Sequence, residues 1–348
     1  MAKIRIENVE KHYNAEQGFI SRVIGEENNP VQAVSGVSMD VNEGEIIGIA
    51  GESGSGKTTL AKLLVKGMDP TSGELYYEDV PYSNITGKAL SKFRREVQMI
   101  LQDPYDSLNP RYTVLEQVLE PLKIHDIGDS FEERRDIVID TLNDVGLAPA
   151  TAYLDSFASD LSGGERQRVS IARSLVLNPD VLIADEPVSM LDVSIRAGVL
   201  NLLKRIHQRE NMTIVVIGHD LAMMRYLTDK LGIMYLGEVV EFGDTEQVIA
   251  DSQHPYTKEL LKAVPDPTPE TRRTRVQLEG EPPTVQDPPS GCRFHTRCPY
   301  AREACKQSTP TKYDTGGDDG YATCFRLDED HKYWDSELLE HAKEDDEK

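Results

Sequence analysis

No stretch of this 348-residue sequence stays apolar for the ~18–20 residues that crossing a bilayer requires. Residues 1–10 also lack the basic start and apolar run of a secretory signal. These two absences predict a soluble, intracellular protein. Basic residues are scarce: 38 Lys and Arg stand against 60 Asp and Glu, for a net charge of −22. Such a surface lacks the positive footprint that nucleic acid or anionic lipid selects. It suits a high-salt cytoplasm, where the Debye length falls to ~3 Å at 1 M and self-repulsion is screened. Cysteine is missing from the first 291 residues, and no internal repeat is visible. What is there is ample: 39% of the residues are hydrophobic, enough for a core, which excludes a wholly disordered chain.

The first 265 residues alternate strand-like and helix-like segments, the pattern of an α/β domain. Ile46–Ala50 reads as a buried strand running into a glycine-rich loop, and Thr58–Lys66 as a helix with Gly67 as its C-cap. Helices are predicted at Phe131–Val145, Glu165–Leu177 and Ser194–Glu210, and buried parallel strands at Val181–Ala184 and Thr213–Ile217. Gly232–Phe242 reads as a hairpin turning at Leu236 and Gly237. Seven prolines between Pro265 and Pro289 mark a stiff connector. Residues 327–348 hold ten acidic and three basic side chains and are expected to be solvated or frayed.

Gly51, Glu52, Ser53, Gly54, Ser55, Gly56, Lys57 and Thr58 match the phosphate-loop pattern, with Thr59 following in the predicted helix. Glycines let successive backbone N–H groups turn onto phosphates, and the helix adds its positive end. Lys57 can reach the β- and γ-phosphates, and the Thr58 hydroxyl can ligate Mg²⁺. A glycine-rich turn could arise by chance, but not commonly between a strand and a helix. Val181–Ala184 then ends in Asp185 and Glu186, at the strand end where open α/β sheets bind ligands. Asp185 can hold Mg²⁺, and Glu186 can orient and deprotonate a water. An acidic pair after a strand is by itself more often a helix cap; the loop upstream reverses that judgement.

Residues 161–168, Leu-Ser-Gly-Gly-Glu-Arg-Gln-Arg, resemble the signature sequence of ATP-binding-cassette (ABC) ATPases. Gln102 after a strand-like run resembles the Q-loop glutamine, Ser189 to Asp192 the D-loop, and His219 the switch histidine. The resemblance implies roles: Tyr13 stacks on adenine, Gln102 senses the γ-phosphate and Mg²⁺, and His219 holds the γ-phosphate. Ser162, Gly163 and Gly164 act in trans over ATP bound to a partner's phosphate loop, with Asp192 beside them. Glu165 replaces the usual glutamine and Met190 the usual alanine; neither change removes a catalytic group. Residues 102–111, Gln-Asp-Pro-Tyr-Asp-Ser-Leu-Asn-Pro-Arg, are similar to the Q-loop of oligopeptide/dipeptide (and nickel) importers. Residues 254–261 and 291–300 agree with that branch, and the long insertion before residue 36 resembles the second of its two ATPase subunits.

All four cysteines, Cys292, Cys298, Cys305 and Cys324, fall in the last sixth of the chain, which argues for one local site. Disulfides would need an oxidising compartment. Zinc sites usually begin with closely paired ligands, absent here. Four thiolates can hold an iron–sulfur cluster, whose loop spacings are freer; free packed thiols are the remaining alternative. Some members of the resembled branch carry a cluster in this region, so a four-iron cluster is the expectation and zinc its alternative.

The expected fold is therefore a phosphate-loop α/β ABC ATPase core with an N-terminal antiparallel β portion. The expected division is an ATPase domain at 1–264 with a helical subdomain near 103–160, a linker at 265–290, a cysteine module at 291–326 and an acidic tail at 327–348. The resemblance implies ATP hydrolysis with Mg²⁺, powering peptide import through a separate permease at the cytoplasmic face of the membrane. Its implied partners are a second ATPase subunit in a heterodimer, two permease subunits and, indirectly, an extracytoplasmic binding protein, with no nucleic acid. Nickel or sugar cargo, or a soluble ABC protein acting on DNA or ribosomes, are the rival readings; a single cassette without a basic patch disfavours the last. The acidic surface makes a halophilic archaeon the expected source. With a net charge of −22, the melting temperature is expected to rise as KCl goes from low to molar concentration, because screening relieves repulsion; a flat or falling trend would defeat the high-salt reading.

Overall fold

A computed structural model of the chain describes residues 1–13, 30–103, 107–262, 286 and 288–342, and the statements that follow concern these. The insertion at 14–29, positions 104–106 of the Q-loop run, nearly all of the proline-rich connector and residues 343–348 lie outside the described residues.

In chain order the strands are β1 (Ala2–Tyr13), β2 (Val31–Asn42), β3 (Ile46–Ala50), β4 (Ser72–Tyr77), β5 (Val80–Pro81), β6 (Val97–Ile100), β7 (Val181–Asp185), β8 (Thr213–Gly218), β9 (Lys230–Tyr235), β10 (Glu238–Asp244), β11 (Tyr313–Asp314) and β12 (Tyr321–Ala322). The α-helices are α1 (Lys57–Leu64), α2 (Gly87–Glu96), α3 (Val114–Ile124), α4 (Phe131–Asp144), α5 (Gly163–Leu175), α6 (Val193–Glu210), α7 (Leu221–Leu227), α8 (Thr245–Ala250), α9 (Pro255–Lys262) and α10 (Glu303–Gln307).

Two sheets form. The smaller, in the order β2-β1-β4-β5, is antiparallel throughout. The larger runs β11-β12-β10-β9-β3-β8-β7-β6, and β9, β3, β8, β7 and β6 are mutually parallel. The central strands are apolar at consecutive positions because both of their faces are covered. Ile47, Ile49, Val181, Ile183, Val215 and Ile217 pack with Ile4, Ile6 and Leu75 of the smaller sheet. The alternate residues Ile46, Leu182, Ala184, Ile214 and Val216 belong to a second core with Val169, Ile171 and Leu202 of the helices. Helices α3, α4 and α5 pack on one another as a helical portion following the Q-loop strand β6. None of the helices among the described residues is long and apolar enough to cross a membrane.

Local chemistry explains most element ends. Leu236 (φ 43°) and Gly237 (φ 88°) form a two-residue hairpin turn between β9 and β10, in the left-handed region such turns require. At the end of α1, Gly67 is not the left-handed residue expected. Lys66 takes that conformation (φ 50°), its N–H bonding the Leu63 carbonyl while the Gly67 N–H bonds that of Lys62. This is a Schellman closure shifted by one residue.

Two further expectations change. The cysteine module does not stand apart: β12 pairs antiparallel with β10, Ala322 opposite Glu241, and so extends the main sheet. Phe294, Cys298 and Ala301 join the helix-side core. A short polar segment that could not bury enough surface alone shares the core of the large domain. Nor is the acidic end wholly frayed, for Tyr333 and Ala342 are buried. The Tyr333 hydroxyl donates to the Tyr300 carbonyl (2.8 Å), and Arg302 donates to the carbonyls of Trp334 (3.1 Å) and Ser336 (2.7 Å). The intervening carboxylates face solvent while a few apolar and backbone groups supply the docking.

Replacing Ile183, which is fully buried in the core that β7 shares with α1 and the smaller sheet, with Ala is expected to cost about 2–5 kcal/mol by cavity formation. Urea unfolding checks this; a loss below about 0.5 kcal/mol would mean the site is not close-packed.

Candidate functional site

The parallel strands deliver the polar residues to one edge. β3 runs into the loop Gly51–Gly56 and then α1, with Gly56 left-handed (φ 105°) at the helix N-cap. A Cβ at Gly51 would stand 2.1 Å from the Met234 carbonyl, and one at Gly56 2.0 Å from that of Ala33. Only glycine fits where the loop passes this close to neighbouring backbone. Gly54, by contrast, faces open space, and Ser53 and Gly54 are exposed. The Gly237 N–H donates to the Ser55 carbonyl (2.8 Å), so the β9–β10 turn props the loop from behind.

Lys57 is buried and folds back inside the loop. Its ammonium donates to the carbonyls of Gly51 (2.9 Å) and Glu52 (2.7 Å) and to the Ser55 hydroxyl (3.3 Å). Burial holds its pKa below the usual lysine value, against the opposing pull of Glu186, Asp185 and Glu52.

Asp185 ends β7 at 2% exposure. Burial pushes its carboxyl above the usual aspartate value; a hydrogen bond from Thr58 and the charge of Lys57 act in the other direction. Its Oδ1 is buried without a hydrogen-bond partner. A buried carboxylate oxygen left unpaired next to a threonine hydroxyl is a donor set that suits a hard divalent cation. Asp185 and Thr58 thus fit Mg²⁺.

Glu186 follows in the left-handed region (φ 45°). Its N–H donates to the Ile217 carbonyl (2.8 Å), and its own carbonyl accepts from the Ser189 N–H (3.2 Å) and hydroxyl (3.1 Å). The turn so fixed aims the carboxylate between two neighbours: Gln102 Nε2 donates to Oε2 (2.9 Å), and His219 Nδ1 stands 3.2 Å from Oε1. The three catalytic candidates therefore meet, though they come from the ends of β6, β7 and β8.

The signature residues are placed differently. Ser162 caps α5 with a reciprocal capping box: Glu165 N–H donates to Ser162 Oγ (3.3 Å), while Ser162 Oγ (2.7 Å) and N–H (2.9 Å) donate to the Glu165 carboxylate. The Ser162 hydroxyl holds the Glu165 carboxyl below the usual glutamate range. Glu165, a departure from the commoner glutamine, thus closes the turn that presents Ser162 and Gly163. A Cβ at Gly164 would meet Ile195 at 2.7 Å, so that residue serves close helix packing. Asp192 is exposed at the N-cap of α6 and does not join the Glu186 cluster. Tyr13 ends β1 opposite Val31, two residues from Ala33, whose carbonyl abuts Gly56; it is 38% exposed.

Arg297 and Tyr256 were missed by sequence reasoning. Arg297 binds the Glu52 carboxylate with two nitrogens (3.0 and 3.2 Å), and the Tyr256 hydroxyl accepts from the Glu52 N–H (3.0 Å). The only signal was a cation in the cysteine segment and a tyrosine in residues 254–261, which carry no spacing rule toward residue 52.

Cys292, Cys298, Cys305 and Cys324 all line one cavity of about 20 Å³, beside Phe294 and Tyr333. All four are free thiols, and burial pushes each one's pKa up, that of Cys324 to about 11. Among the described residues, no three His, Cys, Asp or Glu stand close enough to share one metal ion.

Residues 34–189 match the family model described as ABC transporter, and residues 240–305 the model described as the C-terminal region of oligopeptide/dipeptide transporters. A putative oligopeptide transport ATP-binding protein of Bacillus subtilis, YkfD, is 44% identical over 282 residues, covering 80% of this chain and 85% of its own. The oligopeptide transport ATP-binding protein AppF of the same organism is 40% identical over 310 residues, covering 88% and 92%. Among solved structures, a dimeric post-hydrolysis state of the ATP-binding cassette MJ0796 with ADP and Pi superposes with a TM-score of 0.61 at 30% identity. It covers 70% of this chain and 98% of that one. Phosphate loop, acid pair, glutamine, histidine and signature turn thus stand within a chain that belongs to the ATP-hydrolysing subunits of ABC transporters, in the oligopeptide/dipeptide importer family.

Proposed function

We propose that this chain binds ATP at the Gly51–Thr59 loop and hydrolyses it to drive peptide import through a separate permease. The observation that carries the mechanism is the Glu186 carboxylate meeting Gln102 and His219 at the strand edge that also holds Lys57 and Asp185. Lys57 is positioned to exchange its loop carbonyls for the β- and γ-phosphates, and Ser53 to Gly56 offer backbone N–H groups to the same oxygens. Asp185, Thr58 and Gln102 would hold Mg²⁺, which when bound neutralises phosphate charge. Glu186 accepts a proton from the attacking water, which His219 helps to orient. Tyr13 stacks on the adenine.

Ser162, Gly163 and Gly164 belong to the other half of the reaction. A capped turn exposed at Ser162 suits a role over the nucleotide of a second subunit, with Asp192 at the same junction. The dimeric state of the MJ0796 cassette supports this pairing, and we assign the partner as a similar ATPase chain in a heterodimer.

A groove of about 220 Å³ beside Gln98, Met99 and Leu101 lies next to Gln102, bounded by Pro121 and Ile124 of α3. Leu101 and Ile124 are exposed there, at 43% and 70%. The exposed apolar side chains beside the glutamine support a permease contact there; the chain would then work at the cytoplasmic face of the membrane, with the extracytoplasmic binding protein reached only through the permease. The names of the relatives support peptide as cargo. Growth in high salt remains part of the proposal through the net charge of −22.

The four cysteines are proposed to hold a four-iron cluster. Their convergence on one cavity motivates this; at about 20 Å³ that cavity would have to widen to admit a cluster. Bound metal would supply the deprotonation that burial opposes.

Glu186→Gln is expected to keep ATP affinity and lose ~10²–10⁴ in turnover. Near-normal hydrolysis with the partner subunits present would remove Glu186 from its role. Anaerobically purified protein should be brown, with about four iron and four sulfide per chain. Zinc at one per chain without iron, or no metal at all, would overturn the cluster and leave the ATPase assignment intact.

A further inference from the structure

Glu52, the second residue of the phosphate loop, is held from three sides. Its carbonyl accepts from Lys57 (2.7 Å), its N–H donates to the Tyr256 hydroxyl (3.0 Å), and its carboxylate takes the two-pronged ion pair of Arg297. Arg297 comes from the cysteine module, 245 residues away, and immediately precedes Cys298. Its side chain is 6% exposed and that of Glu52 23%, so the pair is largely shielded from water. Arg297 also lies 3.4 Å from the Tyr235 hydroxyl. Tyr235, Tyr256 and Phe294 form an aromatic cluster with ring centroids 4.5–5.3 Å apart, and Phe294 lines the cysteine cavity. Packed rings and a buried fork thus run without a gap from the cysteine cavity to the backbone of the loop.

We propose that Arg297 is a positioning residue of the ATP site, clamping Glu52 so that the docked cysteine module sets the shape of the phosphate loop and hence its affinity for ATP. The proposal rests on the loop being the ATP site, and its physical basis is the exchange that Lys57 must make. When the ammonium turns to the phosphates it leaves the Glu52 carbonyl. Arg297 and Tyr256 then hold Glu52 from outside the loop, beside the Ser55 N–H that bonds its carbonyl from within (3.2 Å). A fork of parallel N–H···O bonds fixes orientation as well as distance, which a lysine at the same position does not. Because the clamp comes from outside the nucleotide-binding core, its strength depends on how the module is seated. The linkage is reciprocal: ATP bound at the loop stabilises the module's docking by the same factor.

The test is titration of the full chain with a fluorescent ATP analogue and Mg²⁺, together with melting curves and limited proteolysis of the module. Arg297→Gln is expected to weaken nucleotide binding about tenfold, within the usual span of coupling between sites. Arg297→Lys should recover part of the loss, since it restores the charge without the fork. Glu52→Gln combined with Arg297→Gln should be no weaker than Arg297→Gln alone, because the two act through one contact. Nucleotide should in turn protect the module from protease in the parent chain and not in Arg297→Gln. Arg302→Ala cuts only the tie between the module and the acidic tail at the Trp334 and Ser336 carbonyls, and leaves the module's seat on β10 and the loop untouched; it should lower the melting temperature and leave nucleotide affinity unchanged. Native affinity in Arg297→Gln, a double variant whose loss is the product of the single losses, or equal weakening by Arg302→Ala would each overturn the proposal. Lys57→Ala separates the premise from the inference: nucleotide binding retained there would overturn the loop assignment, and the clamp with it.

Discussion

The site depends on a parallel sheet whose two faces are both taken out of water. Once β6, β7, β8, β3 and β9 are buried by the smaller sheet with α1 and α2 on one side and by the other helices on the opposite side, polar side chains on them are confined to the strand ends. Parallel direction then puts every C-terminal end on the same edge. Gly51, Gln102, Asp185, Glu186 and His219 reach that edge from four different strands with no need for contacts along the sequence. Fully burying each core aliphatic side chain contributes roughly 1.5–3 kcal/mol. Those contributions also offset what the edge costs: a glutamate in left-handed geometry, a buried carboxylate with one oxygen unpaired, and a buried lysine.

These costs are arranged to cancel on binding. Asp185 and Lys57 are disturbed in opposite senses by the same desolvation, the acid raised and the base lowered. Each is returned toward its charged form by a ligand of the other sign, Asp185 by a cation and Lys57 by phosphate. On the proposed assignment, a nucleotide with its metal would bring both at once. The chain as a whole carries −22, which makes the local positive potential of Lys57 and the α1 N-terminus all the more necessary for attracting a polyanion.

What could be read beforehand follows chain continuity. The loop, the acid pair and the signature turn are runs of adjacent residues whose chemistry depends on local spacing, so their positions were legible, as was the hairpin at Leu236 and Gly237. Gln102 and His219 were legible as strand-end residues only through the resemblance; that both touch the Glu186 carboxylate is a fact of sheet order. The left-handed position at Lys66 was misread as Gly67 because propensity favours glycine there and the Schellman hydrogen bonds do not. The standing of the module was also hidden. Its composition describes a small polar segment, whereas β12 pairing with β10 and the burial of Phe294 and Tyr333 are set by surfaces it meets only after folding. Arg297 and Glu52 are too far apart in sequence for any local rule to join them.

Glu186 shows why the strained turn and the long-range clamp belong to one design. A left-handed glutamate costs roughly 1–2 kcal/mol relative to ordinary backbone, and here hydrogen bonds with Ile217 and Ser189 hold it in place. The gain is direction: continuing β7 would send the side chain to one face of the sheet, whereas the turn sends it across the strand ends to Gln102 and His219. The phosphate loop faces it from β3, and its own backbone is fixed by glycines that neighbouring carbonyls leave no room to replace. Catalysis needs the distance between these two turns to be constant, which calls for rigidity beyond that of β8, hydrogen-bonded to both β3 and β7. The β9–β10 hairpin behind Ser55 and the Arg297 fork on Glu52 supply that rigidity from the far side of the loop. The site is therefore built from two braced turns facing each other, with one of the braces drawn from the C-terminal module.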